Sequence, residues 1–164
     1  MAAEKNNKHS DSYVNKLEKL DFSVVDSLKN IIDKTRDKLI VRVIAETGCT
    51  TSELVHIKYK DIDFENNSLI IRAKNTRNKR ERIVSLSKKL CLDLKKFSKK
   101  DKPYIFYSSR SPKLRTRSVR KIFQKYSQIL EIKVTPRKLR KIHIKKSIRE
   151  QKNLDKIKKE VGIK

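Results

Sequence analysis

Apolar residues recur along most of this chain at intervals of three and four, the spacing that gives a helix one buried stripe. Helical spacing begins at Val14, Leu17 and Leu20 and resumes through Val24, Val25, Leu28, Ile31 and Ile32. It continues from about Arg36 to Glu46, with Leu39, Ile40, Val43 and Ile44 on one face. Gly48 predicts the end of that helix, because glycine closes a last turn in the left-handed conformation at no steric cost. Thr51 and Ser52 then open a short helix that carries Leu54, Val55 and Ile57. The period changes at Asp61. Ile62–Phe64 leads through a polar turn, Glu65–Asn67, into a strand at Ser68–Ala73, and Arg82–Leu86 is the returning strand of a hairpin. The tip of that hairpin, Lys74–Glu81, is almost pure charge. Ser87 is placed to cap a helix bearing Leu90, Leu92, Leu94 and Phe97, and Pro103–Tyr107 predicts a further short strand. Val119, Ile122, Phe123, Tyr126 and Ile129 line one face of a helix over Arg117–Leu130. Thr135 as N-cap with Pro136 in the first helical position starts a basic helix to about Glu150, and Leu154–Val161 forms the last. The expected fold is therefore α+β, mainly helical with a small three-stranded antiparallel sheet. Residues 1–20 read as a polar, partly disordered leader and residues 21–164 as one domain.

At 164 residues and 36% hydrophobic content, the chain can bury a core without a metal or a disulfide. Cys49 and Cys91 lie in apolar helical contexts, without C-x-x-C spacing, and read as small buried hydrophobes. There is no signal-type apolar segment at the start and no run approaching 18 apolar residues. The expectation is a cytoplasmic protein with no membrane partner.

Charge changes the picture more than composition does. The net charge is +25, but residues 1–66 carry 11 Lys/Arg against 12 Asp/Glu, whereas residues 67–164 carry 33 against 7. A one-sided field of that size attracts a polyanion, and double-stranded DNA is the expected partner. A basic membrane-surface helix would need Trp or Phe along its apolar side, and this chain has no Trp. No aromatic platform of the kind that stacks single-stranded RNA bases is visible either.

Three basic clusters are the candidate binding residues. The hairpin supplies Lys74, Arg77, Lys79, Arg80 and Arg82; the next loop and helix supply Arg110, Lys113, Arg115, Arg117 and Arg120. The helix after Pro136 supplies Arg137, Lys138, Arg140, Lys141 and Lys145, with Arg137, Lys141 and Lys145 in one stripe. Like charges four residues apart destabilise a helix that has no anionic partner, so such clusters imply a ligand. Signals for other chemistry are poor. His9, His56 and His143 have no Cys, Asp or Glu at metal-ligand spacing, and with only two glycines there is no phosphate-cradling loop. No metal or cofactor is expected, and Asp61 and Asp63 read as turn residues.

Several segments together resemble the tyrosine recombinase (phage integrase) family. Glu46-Thr47-Gly48-Cys49-Thr50-Thr51-Ser52-Glu53-Leu54, then Ile57-Lys58-Tyr59-Lys60-Asp61-Ile62-Asp63, is similar to the family pattern T-G-x-R-x-x-E-L followed by a short apolar stretch and D-I-D. The hairpin ending Arg82-Ile83-Val84-Ser85-Leu86 resembles the family's lysine-bearing hairpin, with Lys74 the implied lysine. Val134-Thr135-Pro136-Arg137-Lys138-Leu139-Arg140 resembles T-P-H-x-L-R, and Lys159-Glu160-Val161-Gly162-Ile163 resembles the later E-L-L-G-H.

The resemblance implies the family's catalytic-domain fold and a DNA substrate, and it also identifies departures. The family attacks a phosphodiester with a tyrosine, assisted by two arginines, a lysine, two histidines and an acidic residue. By position, the first arginine is Thr50, the first histidine Arg137 and the second Ile163, while Glu53, Lys74 and Arg140 match. A missing guanidinium removes part of the clamp on the developing phosphorane charge, which costs roughly a hundredfold in rate. No tyrosine comes after Ile163 in this sequence. These departures predict a protein that is not an enzyme and binds duplex DNA through its phosphates, in a chromatin-associated or regulatory role at the nucleoid. The alternative is a recombinase subunit or inhibitor that acts by self-association or with a related recombinase.

Overall fold

The computed structural model describes residues 23–150 and 154–162. The periodic residues Val14, Leu17 and Leu20 and the expected leader lie outside them. Seven α-helices and three strands organise these residues: α1 (Ser23–Ile31), α2 (Thr35–Thr47), α3 (Thr51–Leu54), β1 (Ile62–Asp63), β2 (Ser68–Ile71), β3 (Arg82–Ser85), α4 (Lys88–Phe97), α5 (Thr116–Leu130), α6 (Pro136–Arg149) and α7 (Leu154–Val161).

Local sequence sets most boundaries. Gly48 ends α2 at φ 62°, and its N–H donates to the Ile44 carbonyl, in keeping with its reading as a stop signal. Ser87 Oγ accepts from Leu90 N at 3.2 Å to start α4, and Thr135 Oγ1 accepts from Lys138 N at 3.1 Å to start α6 behind Pro136. The antiparallel sheet runs in the order β1-β2-β3, with Leu69 opposite both Ile62 and Val84.

The sheet differs from the expected one in its third member. Pro103–Tyr107 lies extended beside residues 57–59, where Tyr59 N donates to the Pro103 carbonyl and Ile105 N to the Ile57 carbonyl. It forms only an isolated bridge, Lys58 to Tyr104, and does not join the sheet. Pro103 has no N–H to donate to a ladder, and the third position is taken by β1.

One core cluster joins α1–α5 to the inner face of the sheet, around Leu28, Ile40, Ile44, Leu54, Leu69, Leu90, Phe106 and Phe123. Burying each such side chain contributes about 1.5–3 kcal/mol. Helix α6 packs along α2, inserting Leu139 and Ile142 into that core. Its other isoleucines, Ile144 and the half-buried Ile148, meet Ile157 and Val161 in a smaller cluster that fastens α7. The consequence is positional: the C-terminal ends of α2 and α7 meet the middle of α6 at Gly48, beside the start of α3. Among the described residues, no helix is long and apolar enough to cross a membrane.

Candidate nucleic-acid interface

The convergence at Gly48 is fixed by one guanidinium. Arg140, on α6, donates to the Gly48 carbonyl at 2.6 Å and to the Val161 carbonyl at 2.5 Å. Both carbonyls sit at helix ends, where they lack intrahelical partners, so a cation there satisfies two orphan acceptors at once. Gly48 has no room for a side chain: a Cβ would stand 2.8 Å from His143 Cδ2 and 3.0 Å from Val161.

From Gly48 the chain turns into α3 through a capping box. Thr50 Oγ1 accepts from Glu53 N at 3.2 Å, and Thr50 N donates to Glu53 Oε2 at 2.8 Å. The Glu53 carboxylate is buried and faces Arg82 from β3, which donates one N–H to each oxygen at 2.9 Å. The hairpin tip then folds over this pair. Its own turn is held by Thr76, whose hydroxyl donates to the Ala73 carbonyl, and Asn78 Nδ2 reaches the Gly162 carbonyl at 3.3 Å.

These elements enclose a cleft of about 950 Å³, whose lining includes Thr50, Glu53, His56, Lys74, Arg77, Lys79 and Arg140. Lys74, Arg77 and Lys79 are exposed and enter no ion pair with a described acid. Glu53 is neutralised by Arg82, so the cleft presents an uncompensated positive field from the hairpin side, suited to an anion.

His56 on the cleft wall is a functional candidate that its sequence context does not reveal. Its Nδ1 lies 2.6 Å from the Ser52 carbonyl and its Nε2 2.8 Å from Lys113 Nζ. A carbonyl only accepts and an ammonium only donates, so in this arrangement Nδ1–H donates to Ser52 and Nε2 accepts a hydrogen bond from Lys113. Lys113 is thereby drawn from its loop to the edge of the cleft.

A second depression, of about 550 Å³, lies at the N-terminus of α6 and is lined by Arg120, Lys133, Thr135 and Arg137 among others. The candidate residues thus divide. Lys74, Arg77, Lys79 and Arg140 share the main cleft, Lys113 borders it, and Arg120 and Arg137 share the second depression. Arg80, Arg110, Arg115 and Arg117 are exposed and line neither, and Lys138, Lys141 and Lys145 are half-buried on α6 and line neither. Arg137 and Arg140, neighbours in one motif, line different depressions. The Arg140 guanidinium is held by the Gly48 and Val161 carbonyls, whereas Arg137 is exposed at the start of α6.

Arg82 departs furthest from expectation. The sequence groups it with the DNA-contacting cations, but its side chain is 6% exposed and doubly bonded to Glu53, so it holds the cleft rather than lining it. Thr50, in the place of the family's first arginine, spends its hydroxyl on the cap of α3. Among the described residues, no group of three His, Cys, Asp or Glu stands where it could hold a metal ion.

The model of the phage integrase family matches residues 18–163. Relatives include tyrosine recombinase XerA of Pyrococcus furiosus, 35% identical over 114 residues that cover 66% of this chain and 39% of that protein. A probable integrase/recombinase protein of Methanocaldococcus jannaschii is 32% identical over 146 residues, 83% of this chain and 43% of that protein. The chain spans about two fifths of the length of these curated relatives. Among solved structures, XerA recombinase superposes with a TM-score of 0.71 at 21% identity, covering 92% of this chain and 54% of that one. XerH site-specific recombinase bound to its difH substrate gives 0.68 at 18% identity, covering 84% and 43%.

These matches overturn the expectation that the protein is not an enzyme. The relatives are named tyrosine recombinases, which are enzymes. That expectation leans on the lack of a tyrosine after Ile163, and a chain spanning two fifths of a recombinase gives no ground for it. Ile163 itself lies outside the described residues.

Proposed function

Because this chain belongs to the phage integrase family, we propose that it is the DNA-gripping part of a tyrosine recombinase, holding double-stranded DNA by its phosphates and serving DNA recombination. The observation that carries this reading is the cleft itself. The hairpin cations Lys74, Arg77 and Lys79 face Arg140 and Glu53 across it, at three of the positions where the family's motifs place a lysine, an arginine and an acid. Phosphate contacts give strong, salt-sensitive affinity and little sequence preference, which suits a surface whose polar groups are mostly ammonium and guanidinium. The capped, buried Glu53–Arg82 pair fixes the cleft floor before DNA arrives, so little ordering cost falls on binding.

The cations line one side of the molecule's groove, so a duplex held there leaves its far side open. A second subunit, another copy of this chain or a related recombinase, completes the grip in this reading. The chromatin-associated role rests on charge alone and has no structural observation of its own; the cleft favours recombination, at the chromosome.

Fluorescence anisotropy with a short duplex tests the reading. If six to ten phosphates are neutralised, affinity falls by about 10³–10⁵ between 50 and 200 mM salt. A flat response contradicts it.

A further inference from the structure

Beside the main cleft lies a smaller cavity of about 220 Å³. Its lining includes His56, Lys58, Lys60, Asp61, Arg72 and Lys74, and it shares His56 and Lys74 with the main cleft. The two spaces are therefore neighbours across His56, Lys74 and Asn75.

The charges of this cavity are unbalanced. Four cations, Lys58, Lys60, Arg72 and Lys74, surround one carboxylate, Asp61. That carboxylate is 3% exposed and already satisfied: Oδ1 accepts from Arg72 Nε at 2.8 Å and Oδ2 from Lys58 N at 3.0 Å. Glu81 approaches only the outer side of Arg72, at 3.6 Å. Lys60 and Lys74 are exposed and pair with no acid among the described residues. Lys58 is held in place by Tyr104, its Nζ standing 5.2 Å from the ring centroid, while Lys113 approaches the same ring at 5.8 Å. An ammonium fixed over an aromatic face keeps its charge and loses rotamer freedom in advance, which favours binding of an anion. His56 contributes a neutral ring between the two spaces, with its donor committed to Ser52 and its acceptor to Lys113. It bars neither space with a negative charge.

We propose that this satellite cavity is a second phosphate subsite, which takes the backbone phosphate next to the one held in the main cleft. Lys58 and Lys60 are its specific ligands, and Lys74 bridges the two phosphates. The inference rests on the reading of the protein as a duplex binder and adds a fixed register for two successive phosphates of one strand. Neither Lys58 nor Lys60 lines the main cleft.

The test uses the full chain and its Lys58→Gln/Lys60→Gln variant, with circular dichroism and thermal melting to establish that both fold alike. Binding is measured on duplexes with a neutral methylphosphonate scanned along one strand. The expected result is one position where neutralisation costs the unaltered protein roughly tenfold and costs the variant nothing further, and a salt slope lower by about one unit in the variant. Equal losses for both proteins at every position, or an unchanged salt slope, overturn the subsite while leaving duplex binding standing. Failure of the unaltered protein to bind duplex overturns both readings together. A titration with inorganic phosphate separates the two sources of the anion. No saturation in the millimolar range is expected, whereas saturable binding lost in the variant, without any effect on DNA, would assign the cavity to free phosphate and overturn the proposal.

Discussion

Glu53 and Arg82, 29 residues apart in sequence, form a buried ion pair with two parallel hydrogen bonds of 2.9 Å. The pair is 5–6% exposed, and Glu53 Oε2 also accepts the Thr50 backbone N–H that starts α3. Removing one partner strands a charge away from water, which costs about 3–5 kcal/mol. Arg82→Met is therefore expected to lower stability by that order in urea unfolding. The double variant Glu53→Leu/Arg82→Met is expected to recover a large part of the loss, because no lone charge remains. Strictly additive losses would mean that the two side chains are not coupled in the folded protein.

Gly48 predicts a second outcome. Alanine there meets φ 62° and a Cβ contact of 2.8 Å to His143, so the end of α2 must move away from the middle of α6 and the end of α7. Gly48→Ala is expected to cost about 1–2 kcal/mol from backbone strain alone, with more from the clash. Hydrogen exchange should show the loss concentrated in α6 and α7. An unaltered exchange pattern would contradict the convergence of the three helices on this glycine.

The Cys49 thiol, fully enclosed by the core, is pushed up to about 12 by burial. A thiol reacts as its thiolate, so Cys49 is expected to resist alkylation at pH 8 in the folded protein and to react promptly in denaturant. Its pH effect has a definite sign. The unfolded thiol ionises near its ordinary value of 9 and the folded one near 12, so stability declines as pH rises through that interval. Rapid labelling of native protein at pH 8 would contradict the burial.

Much of this organisation is legible in the sequence because it is local. Gly48, Ser87, Thr135 and Pro136 each announce a helix end by their own backbone chemistry, and each stands where that chemistry places it. The order of the motifs also carries the fold and marks Lys74, Glu53 and Arg140 as cleft residues. The features that escape depend on distant partners. In β3 the adjacent apolar residues Ile83 and Val84 must face opposite ways. The strand buries Val84 with Arg82 and leaves Ile83 66% exposed, a choice that only the position of Glu53 explains. His56 reads as an isolated histidine until Lys113, 57 residues later, arrives at its Nε2. Pro103–Tyr107 has the composition of a strand, yet it pairs with residues 57–59 through an isolated bridge and stays outside the sheet.

The central claim is that the cleft, and not charge spread over the surface, grips DNA. It is tested most directly by comparing two variants with equal charge loss: Lys74→Gln/Arg77→Gln/Lys79→Gln in the cleft, and Lys95→Gln/Lys96→Gln/Lys99→Gln, in α4 and just beyond it. Duplex affinity is measured by anisotropy from 50 to 200 mM salt. The account predicts that the cleft variant loses two to three units of salt slope and that the α4 variant stays within about half a unit of the unaltered protein. Equal slopes for the two variants would contradict it.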